Sequence, residues 1–348
     1  MTAAPPPFAA IALQLAARSV ERCVDRAEAS AQMLDTIETA GARLRAASIF
    51  VTQYGGTPVR LAVLPEYLLT SYPGAISVPA FAEKAALDVD GPEYDALAAI
   101  AAKQGIHLAV NAYERDAHFP DLYFQACVIL GPSGQTVLRY RRLNSMFAPT
   151  PHDVWSRYLD LYGIDGVFPV ARTEIGNLAA IASEEILYPE IARAHALRGA
   201  ELFVHSSSEI GSPLSTPKAI ARRARAFENI AYIVSANTAG IEGTSLPLAS
   251  ADGNSVVVDY KGGVIAEANA GETFTAFADI DIAALRAQRR KPGMINQLAR
   301  QRLELFASTY TGSVQPADSL GAGDIPDREH FLRVQQSTIE RLAKDGLI

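Results

Sequence analysis

An abrupt change from strand-type to helix-type patterning constrains this chain more than any other sequence feature. Residues 178–182 form an apolar run that stops at Ser183, where acidic residues follow. A helical pattern then opens at Pro189 and continues through Ala192, Ala196 and Leu197. A sharp strand-to-helix turn of this kind lifts one side chain out of the end of a sheet, where it can meet residues of neighbouring strands. Ser183 occupies that position.

The same alternation of strand and helix patterns recurs along the chain. Strand-type runs occupy residues 8–13, 61–64, 106–111, 123–130, 136–140, 200–205 and 231–237, and helical spacing occurs at 20–47, 91–105, 219–230 and 328–342. This alternation predicts an α/β fold. An apolar burst at 49–51 and turn residues at 54–58 predict a small insertion before the strand at 61–64. Residues 144–166 form a long aromatic-rich excursion, which predicts either a lid or pocket wall or a contact with another subunit.

Composition places limits on the partners. The chain has 348 residues, of which 49% are hydrophobic, and no composition break divides it, so one large domain with a tail is the simplest prediction. A net charge of −7 disfavours nucleic acid and anionic membranes as partners. The apolar runs are too short to span a bilayer and the N-terminus lacks the pattern of a signal peptide, so we expect a cytoplasmic protein.

The two cysteines suggest neither a disulfide nor a metal site. Cys23 and Cys127 lie far apart in the sequence, without a CxxC motif or a nearby histidine pair. We expect both to be buried packing residues, and we expect no metal and no other cofactor.

Two carboxylates and one histidine follow strand-type runs and have competing interpretations. Glu66 comes directly after Pro65, which cannot donate a ladder hydrogen bond, so the strand should end there and present Glu66 at the sheet end. On residues alone, a surface-loop glutamate is about as good an interpretation. Glu114 is either a residue near the site or a loop charge. For His205 a hydrogen-bonded structural role is favoured over catalysis.

Several motifs together resemble the nitrilase, or carbon-nitrogen hydrolase, superfamily. Its nucleophile segment is a cysteine, any residue, an acidic residue, Pro-Glu and a later arginine, and this chain matches it at Glu185, Pro189, Glu190 and Arg193. Further matches are Pro65-Glu66, the turn at 131–134 followed by Tyr140-Arg141-Arg142, and Arg-Ala-Phe-Glu-Asn at 225–229. The resemblance covers about residues 8–285. It implies a nitrilase-like αββα sandwich that dimerises into αββα-αββα. We predict one hydrolase-like domain at residues 1–285 and, from its Gly/Ser/Pro-rich stretch and final helix, an extension at residues 286–348 that contacts another subunit.

The resemblance also implies site residues. The family uses a Glu-Lys-Cys triad, and Glu66 fits its general base. Ser183 stands where the cysteine is expected and Arg142 where the lysine is expected, with no lysine nearby in the sequence. The implied catalytic set is therefore Glu66, Arg142 and Ser183. The implied supporting residues are Glu114, Glu185, Glu190 and Arg193.

Two substitutions at once leave several functions open. Serine is a weaker nucleophile than a thiolate and needs a strong, close base. Arginine can stabilise developing negative charge but cannot exchange a proton near neutral pH. The chain is then an amidase- or nitrilase-type hydrolase of a small carbonyl compound, or a catalytically inactive relative that binds a small carboxylate or amide. The residues also leave open an engineered Cys-to-Ser change, which Arg142 argues against, and a scaffold that uses the fold only for oligomerisation.

Overall fold

The computed structural model describes residues 5–209, 216–251, 253–312 and 314–348. Within these ranges the β-strands are β1 (Phe8–Ala12), β2 (Ala16–Arg18), β3 (Val59–Val63), β4 (His107–Arg115), β5 (Tyr123–Leu130), β6 (Thr136–Arg141), β7 (Ala171–Thr173), β8 (Gly176–Ala182), β9 (Leu202–Ser207), β10 (Tyr232–Asn237), β11 (Gly240–Glu242), β12 (Val256–Val258), β13 (Val264–Glu267) and β14 (Phe277–Ile280). The α-helices are α1 (Arg26–Gly55), α2 (Val78–Ala85), α3 (Pro92–Gln104), α4 (Trp155–Val167), α5 (Pro189–Leu197), α6 (Pro217–Asn229), α7 (Ile282–Arg290), α8 (Ala307–Tyr310) and α9 (Arg328–Lys344).

Two six-stranded sheets form the centre of the fold. The first has the order β14-β1-β3-β4-β5-β6 and the second the order β13-β12-β10-β9-β8-β7. Strands β1, β3 and β4 run parallel, as do β8, β9 and β10, while the outer strands are antiparallel to their neighbours. A small parallel pair, β2 with β11, lies apart from both sheets. Parallel strands place their carboxyl ends at one edge of a sheet, which is where polar residues from several strands can meet.

Three apolar layers hold the sheets and helices together. Side chains from the inner faces of both sheets form one cluster, with Leu61, Val204 and Leu178 fully buried. A second cluster joins α1, α2 and α3 to the outer face of the first sheet. A third joins α5 and α6 to the outer face of the second sheet. The predicted αββα sandwich is therefore confirmed, because alternate strand residues bury both faces of each sheet.

Capping interactions set the positions at which helix α1 begins and ends. The Asp25 side chain accepts a hydrogen bond from the backbone N–H of Glu28, which caps the first turn. Buried residues recur every three or four positions from Ala29 to Val51, so one face packs on the sheet. Gly56 ends the helix with φ of 75°, a left-handed conformation that glycine adopts without a steric cost.

The structure corrects two sequence-based expectations. Residues 49–51 belong to α1, which continues past the predicted end at residue 47, and residues 54–58 are the last two residues of that helix and a short turn that leads to β3. The excursion at 144–166 is mostly ordered as a 3-10 helix at Pro151–Val154 and then α4. Tyr158 of α4 packs with Phe119 and Phe124 in a fourth apolar cluster. No helix in the described ranges is long and apolar enough to cross a membrane.

The backbone turns sharply where β8 ends. Ala182 still has extended geometry, but Ser183 has φ of 50° and begins a 3-10 helix that runs to Leu187. A left-handed conformation is unfavourable for a residue with a Cβ atom and persists only where surrounding contacts enforce it. The predicted strand-to-helix elbow is thus present, and Ser183 is its pivot.

We expect the strain at Ser183 to reverse the usual ranking of alanine and glycine. Ser183→Gly and Ser183→Ala both remove the hydroxyl, but only glycine relieves the left-handed backbone, so Ser183→Gly should be the more stable variant by about 1 kcal/mol. At Ser337, an exposed position inside α9, alanine should instead be the more stable by about 1 kcal/mol. Urea denaturation of the four variants measures both differences. Greater stability of Ser183→Ala than of Ser183→Gly would contradict a strained elbow.

Candidate functional site

Three strand ends bring the predicted catalytic side chains to one edge of the sandwich. Glu66 follows β3 and Arg142 follows β6 in the first sheet, whereas Ser183 follows β8 in the second. The two sheets meet at this edge through the backbone, because the N–H of Glu66 donates to the carbonyl of Ser207, the last residue of β9. Lys218 Nζ lies 3.3 Å from Ser183 Oγ, and the charge of Glu66 acts on the Lys218 amine. One polar centre therefore includes Glu66, Arg142 and Ser183.

Glu66 is buried and both of its carboxylate oxygens accept hydrogen bonds. Gln125 Nε2 donates to Oε1 at 2.8 Å and Ser208 Oγ donates to Oε2 at 2.6 Å. Arg142 Nη1 lies 3.5 Å from Oε1 and balances the charge. A buried carboxylate needs such partners, since an unpaired one would cost several kcal/mol. The sequence-based alternative of a surface-loop glutamate is wrong for Glu66, which is 2% exposed.

Arg142 is held by partners on every nitrogen of its guanidinium group. Nε donates to the carbonyl of Asn144 at 2.6 Å, Nη1 donates to Gln125 Oε1 at 2.6 Å, and Nη2 pairs with Glu184. Burial disfavours the charged form, but the carboxylates of Glu66, Glu184 and Glu185 outweigh it and raise the pKa of Arg142. Arg142 is therefore a fixed positive charge.

Ser183 is fixed through its backbone carbonyl and contacted at its hydroxyl. His205 Nε2 lies 2.8 Å from the Ser183 carbonyl oxygen and Nδ1 lies 2.8 Å from Ser235 Oγ. Burial holds the pKa of His205 well below its usual value, so the neutral ring donates to the carbonyl and accepts from Ser235. The predicted structural role of His205 fits these contacts. The hydroxyl of Ser183 lies 3.3 Å from Lys218 Nζ.

Glu185 joins the elbow of the second sheet to the end of β6 in the first. Its Oε1 accepts from the backbone N–H groups of Leu143 and Asn144 at 2.6 and 3.0 Å. Its Oε2 accepts from the Tyr140 hydroxyl at 2.8 Å and from the Ala182 N–H at 3.2 Å. Burial raises the pKa of Glu185 to about 7, although Arg142 and these hydrogen bonds oppose the shift.

Two of the other three predicted supporting residues have their partners outside this centre. Glu114 is buried and binds Tyr94, Arg139 and Arg141, on the face of β6 opposite to Arg142. Glu190 is exposed in the first turn of α5 and accepts a hydrogen bond from Tyr310. Arg193 is half-buried on the same helix, and the charges that act on its pKa are those of Glu228 and Arg225.

Lys218 is the site residue that sequence reasoning missed. It lies in the first turn of α6, 35 positions after Ser183, and its Nζ contacts the hydroxyls of both Ser183 and Ser207 at 3.3 Å. A signal was present, because the helix that follows β9 must start near the carboxyl end of that strand and β9 is the parallel neighbour of β8. Residues 210–215 of the loop between β9 and α6 lie outside the described residues.

Cys127 is close to the site but is not suited to act as a nucleophile. It lies on β5 and faces the interior between the sheets, where its Sγ accepts a hydrogen bond from Asn111 Nδ2 at 3.3 Å. Burial raises the pKa of Cys127 to about 12, so its thiol stays protonated at neutral pH. In the described part of the chain, no group of three or more His, Cys, Asp or Glu side chains is arranged to hold a metal ion.

Proteins of similar sequence include a probable nitrilase and a formamidase. The chain is 25% identical over 182 residues to a probable nitrilase of Schizosaccharomyces pombe, covering 52% of this chain and 62% of that protein. It is 26% identical over 196 residues to a formamidase of Helicobacter acinonychis, covering 56% of this chain and 55% of that protein. The chain thus spans less than two thirds of the length of these relatives.

A solved carbon-nitrogen hydrolase from Helicobacter pylori G27 has the same fold. It superposes with a TM-score of 0.65 at 22% identity, covering 88% of this chain and 99% of that one. The family profile for "Carbon-nitrogen hydrolase" matches residues 12–290, which includes every strand of both sheets except most of β1. The chain therefore belongs to the carbon-nitrogen hydrolase family, within the nitrilase superfamily.

Proposed function

We propose that the protein hydrolyses the carbon-nitrogen bond of a small amide, or a related activated carbonyl compound, with Ser183 as the nucleophile. The observation that carries the proposal is the position of the Ser183 hydroxyl. It projects from a strained elbow into a centre that holds one buried carboxylate, Glu66, the guanidinium of Arg142 and the amine of Lys218. The formamidase and nitrilase among the relatives support a small amide or nitrile as the substrate class.

The proposed reaction proceeds through an ester of Ser183. The Ser183 oxygen attacks the carbonyl carbon of the amide while a base takes its proton, and the positive charge of Arg142 stabilises the negative charge that develops on the carbonyl oxygen. Protonation of the amide nitrogen releases ammonia and leaves an acyl group on Ser183. Water then attacks the acyl carbon, which frees the carboxylic acid and restores the hydroxyl. The carboxylate of Glu66 and the amine of Lys218 are the groups of this centre that can take part in these proton transfers.

The contacts of Arg142 argue against the alternative of an inactive relative that binds a carboxylate ligand. Bidentate recognition of a carboxylate needs two parallel N–H groups that are free to point at the ligand. Arg142 already donates to Asn144, Gln125 and Glu184 and lies beside Glu66, so a second carboxylate would enter next to existing negative charge. The arrangement favours a neutral carbonyl group over an anion.

Turnover of a small-amide panel tests the proposal. We expect ammonia release from formamide, acetamide or acrylamide, measured by a coupled glutamate dehydrogenase assay. Ser183→Ala should lower kcat by about 10³-fold or more, and Glu66→Gln by about 10²-fold or more, because each removes a group used in proton or acyl transfer. Exposed residues serve as matched controls, and Ser337→Ala and Glu304→Gln should keep the wild-type rate. No turnover of amides, nitriles or esters by the wild type would contradict the proposal.

A serine nucleophile also predicts resistance to thiol reagents. Burial raises the pKa of both Cys23 and Cys127, so the thiolate fraction at pH 7 is very small for each. We expect incubation with iodoacetamide at pH 7 to leave the amidase rate unchanged, with peptide mapping to confirm that Cys127 is unmodified. Loss of activity in proportion to alkylation of Cys127 would show that the thiol, and not Ser183, is the nucleophile.

Self-association through the helices of the second sheet is a further part of the proposal. Leu197 of α5 is 47% exposed, and exposed apolar side chains also occur at Leu187 and Tyr188 before α5 and at Ile220 and Phe227 on α6. Exposed apolar side chains on one helical layer are typical of a surface that another copy covers. We expect dimers or larger species in sedimentation velocity and a shift toward monomer for Leu197→Asp. Leu303→Asp, at an exposed leucine outside this layer, should not change the distribution, and a monomeric wild type would contradict the idea.

A further inference from the structure

The group in direct contact with the Ser183 hydroxyl is the amine of Lys218. Lys218 Nζ lies 3.3 Å from Ser183 Oγ and 3.3 Å from Ser207 Oγ, so the amine is held between two hydroxyl groups. Ser207 is fully buried at the end of β9, and its carbonyl oxygen accepts from the backbone N–H groups of Glu66 and Thr238. The position of the amine is thus set by the same strand end that holds the backbone of Glu66.

The carboxylate of Glu66 is engaged with other partners. Its two oxygens accept from Gln125 and Ser208, and Arg142 lies beside it. A base must be within hydrogen-bond reach of the proton that it removes. For the proton of Ser183 Oγ that condition is met by Lys218, whereas Glu66 faces the amide of Gln125 and the hydroxyl of Ser208.

The surroundings of Lys218 favour a neutral amine. Burial lowers the pKa of Lys218, and the nearby cations Arg222 and Arg142 act in the same direction. Two carboxylates raise the pKa of Lys218 without cancelling its lowering. They are Glu66, in the turn that follows β3, and Glu209, after β9. Arg142 cannot serve as the base instead, because its carboxylate neighbours raise its pKa and a guanidinium does not release its proton at working pH.

We infer that Lys218 is the general base that activates Ser183, with Ser207 orienting the amine. This inference rests on the proposed hydrolase function and names the proton acceptor within it. In this arrangement Arg142 supplies a fixed positive charge, whereas Lys218 moves the proton. Lysine with serine is a known variant of nucleophile activation in hydrolases of unrelated folds.

The proton transfers balance over one cycle. The neutral amine of Lys218 accepts the proton of Ser183 Oγ as that oxygen bonds to the carbonyl carbon. The resulting ammonium then donates this proton to the amide nitrogen, the carbon-nitrogen bond breaks, and ammonia leaves. In the second half, the amine takes a proton from the attacking water. Collapse of the tetrahedral intermediate breaks the ester bond, and the ammonium returns the proton to Ser183 Oγ.

Diisopropyl fluorophosphate tests the inference without knowledge of the natural substrate. Attack by Ser183 forms an oxygen-phosphorus bond and releases fluoride, and intact-mass spectrometry follows the rate. We expect Lys218→Ala and Lys218→Met to label about 10²-fold more slowly than the wild type, and Lys103→Ala, at an exposed lysine of α3, to label at the wild-type rate. Added methylamine should restore part of the labelling of Lys218→Ala, because a free amine can replace the lost base.

Two further measurements distinguish a role of Lys218 as a base from a role as a positive charge or as a structural contact. Lys218→Arg keeps the positive charge but cannot accept a proton, so we expect it to label as slowly as Lys218→Ala. The wild-type rate should rise with pH through an ionisation below the usual lysine value of about 10.4, and this limb should be absent in Lys218→Met. A carboxylate base would instead leave this limb in place in Lys218→Met. The wild-type profile can be measured even if a variant fails to fold.

The outcomes for the inference and for the proposed function are distinct. Wild-type labelling and amide turnover that persist within about threefold in Lys218→Ala, or wild-type rates in Lys218→Arg, would overturn the role of Lys218 and leave the hydrolase proposal standing. A wild type that neither labels at Ser183 nor turns over any amide would overturn both.

Discussion

The buried carboxylate of Glu185 is the interaction on which the geometry of the site depends. It accepts hydrogen bonds from Ala182 on the second sheet and from Tyr140, Leu143 and Asn144 at the end of β6 on the first. Because a buried carboxylate is costly unless it is fully hydrogen-bonded, all four donors must keep their positions. The carboxylate therefore sets the distance between the elbow that carries Ser183 and the strand end that carries Arg142.

The second constraint is the balance of charge along the same edge. Arg142 lies between Glu66 and Glu184, and Arg222 pairs with Glu209 at 3.3 Å. Each arginine is thus neutralised by carboxylates on neighbouring strand ends. Lys218 instead contacts two hydroxyl groups, and burial lowers the pKa of its amine. Close carboxylates stabilise the charged form of a structural cation. A group that must exchange protons needs a site that stabilises its charged form less fully, because its pKa is then closer to the working pH.

Sequence patterns predicted the elements better than the distances between them. The strand at 123–130 has the predicted bounds, and Pro65 and the elbow at Ser183 correctly marked two strand ends that carry site residues. The helix predicted at 20–47 lies at Arg26–Gly55, because Asp25 caps its start and the burial of Ala47 and Val51 on one face continues the helix beyond residue 47.

Lys218 shows why the rest of the site could not be predicted in the same way. A resemblance between motifs compares residues at corresponding positions, and the position expected to hold a lysine holds Arg142. The amine instead reaches Ser183 from a helix that follows a different strand. Strand order and the placement of α6 beside the end of β8 decide that contact, and neither follows from periodicity or spacing.

The serine at the elbow and the lysine beside it are linked by the chemistry of proton transfer. A thiol ionises readily near neutral pH, so a carboxylate suffices as the base in a site built around cysteine. A serine hydroxyl holds its proton far more tightly, and a carboxylate of ordinary proton affinity removes it poorly. An amine with a lowered pKa is a stronger base that is still available without its proton near neutral pH. A serine nucleophile at the elbow would need a base stronger than Glu66 alone, and the amine of Lys218 lies within hydrogen-bond reach of the Ser183 hydroxyl.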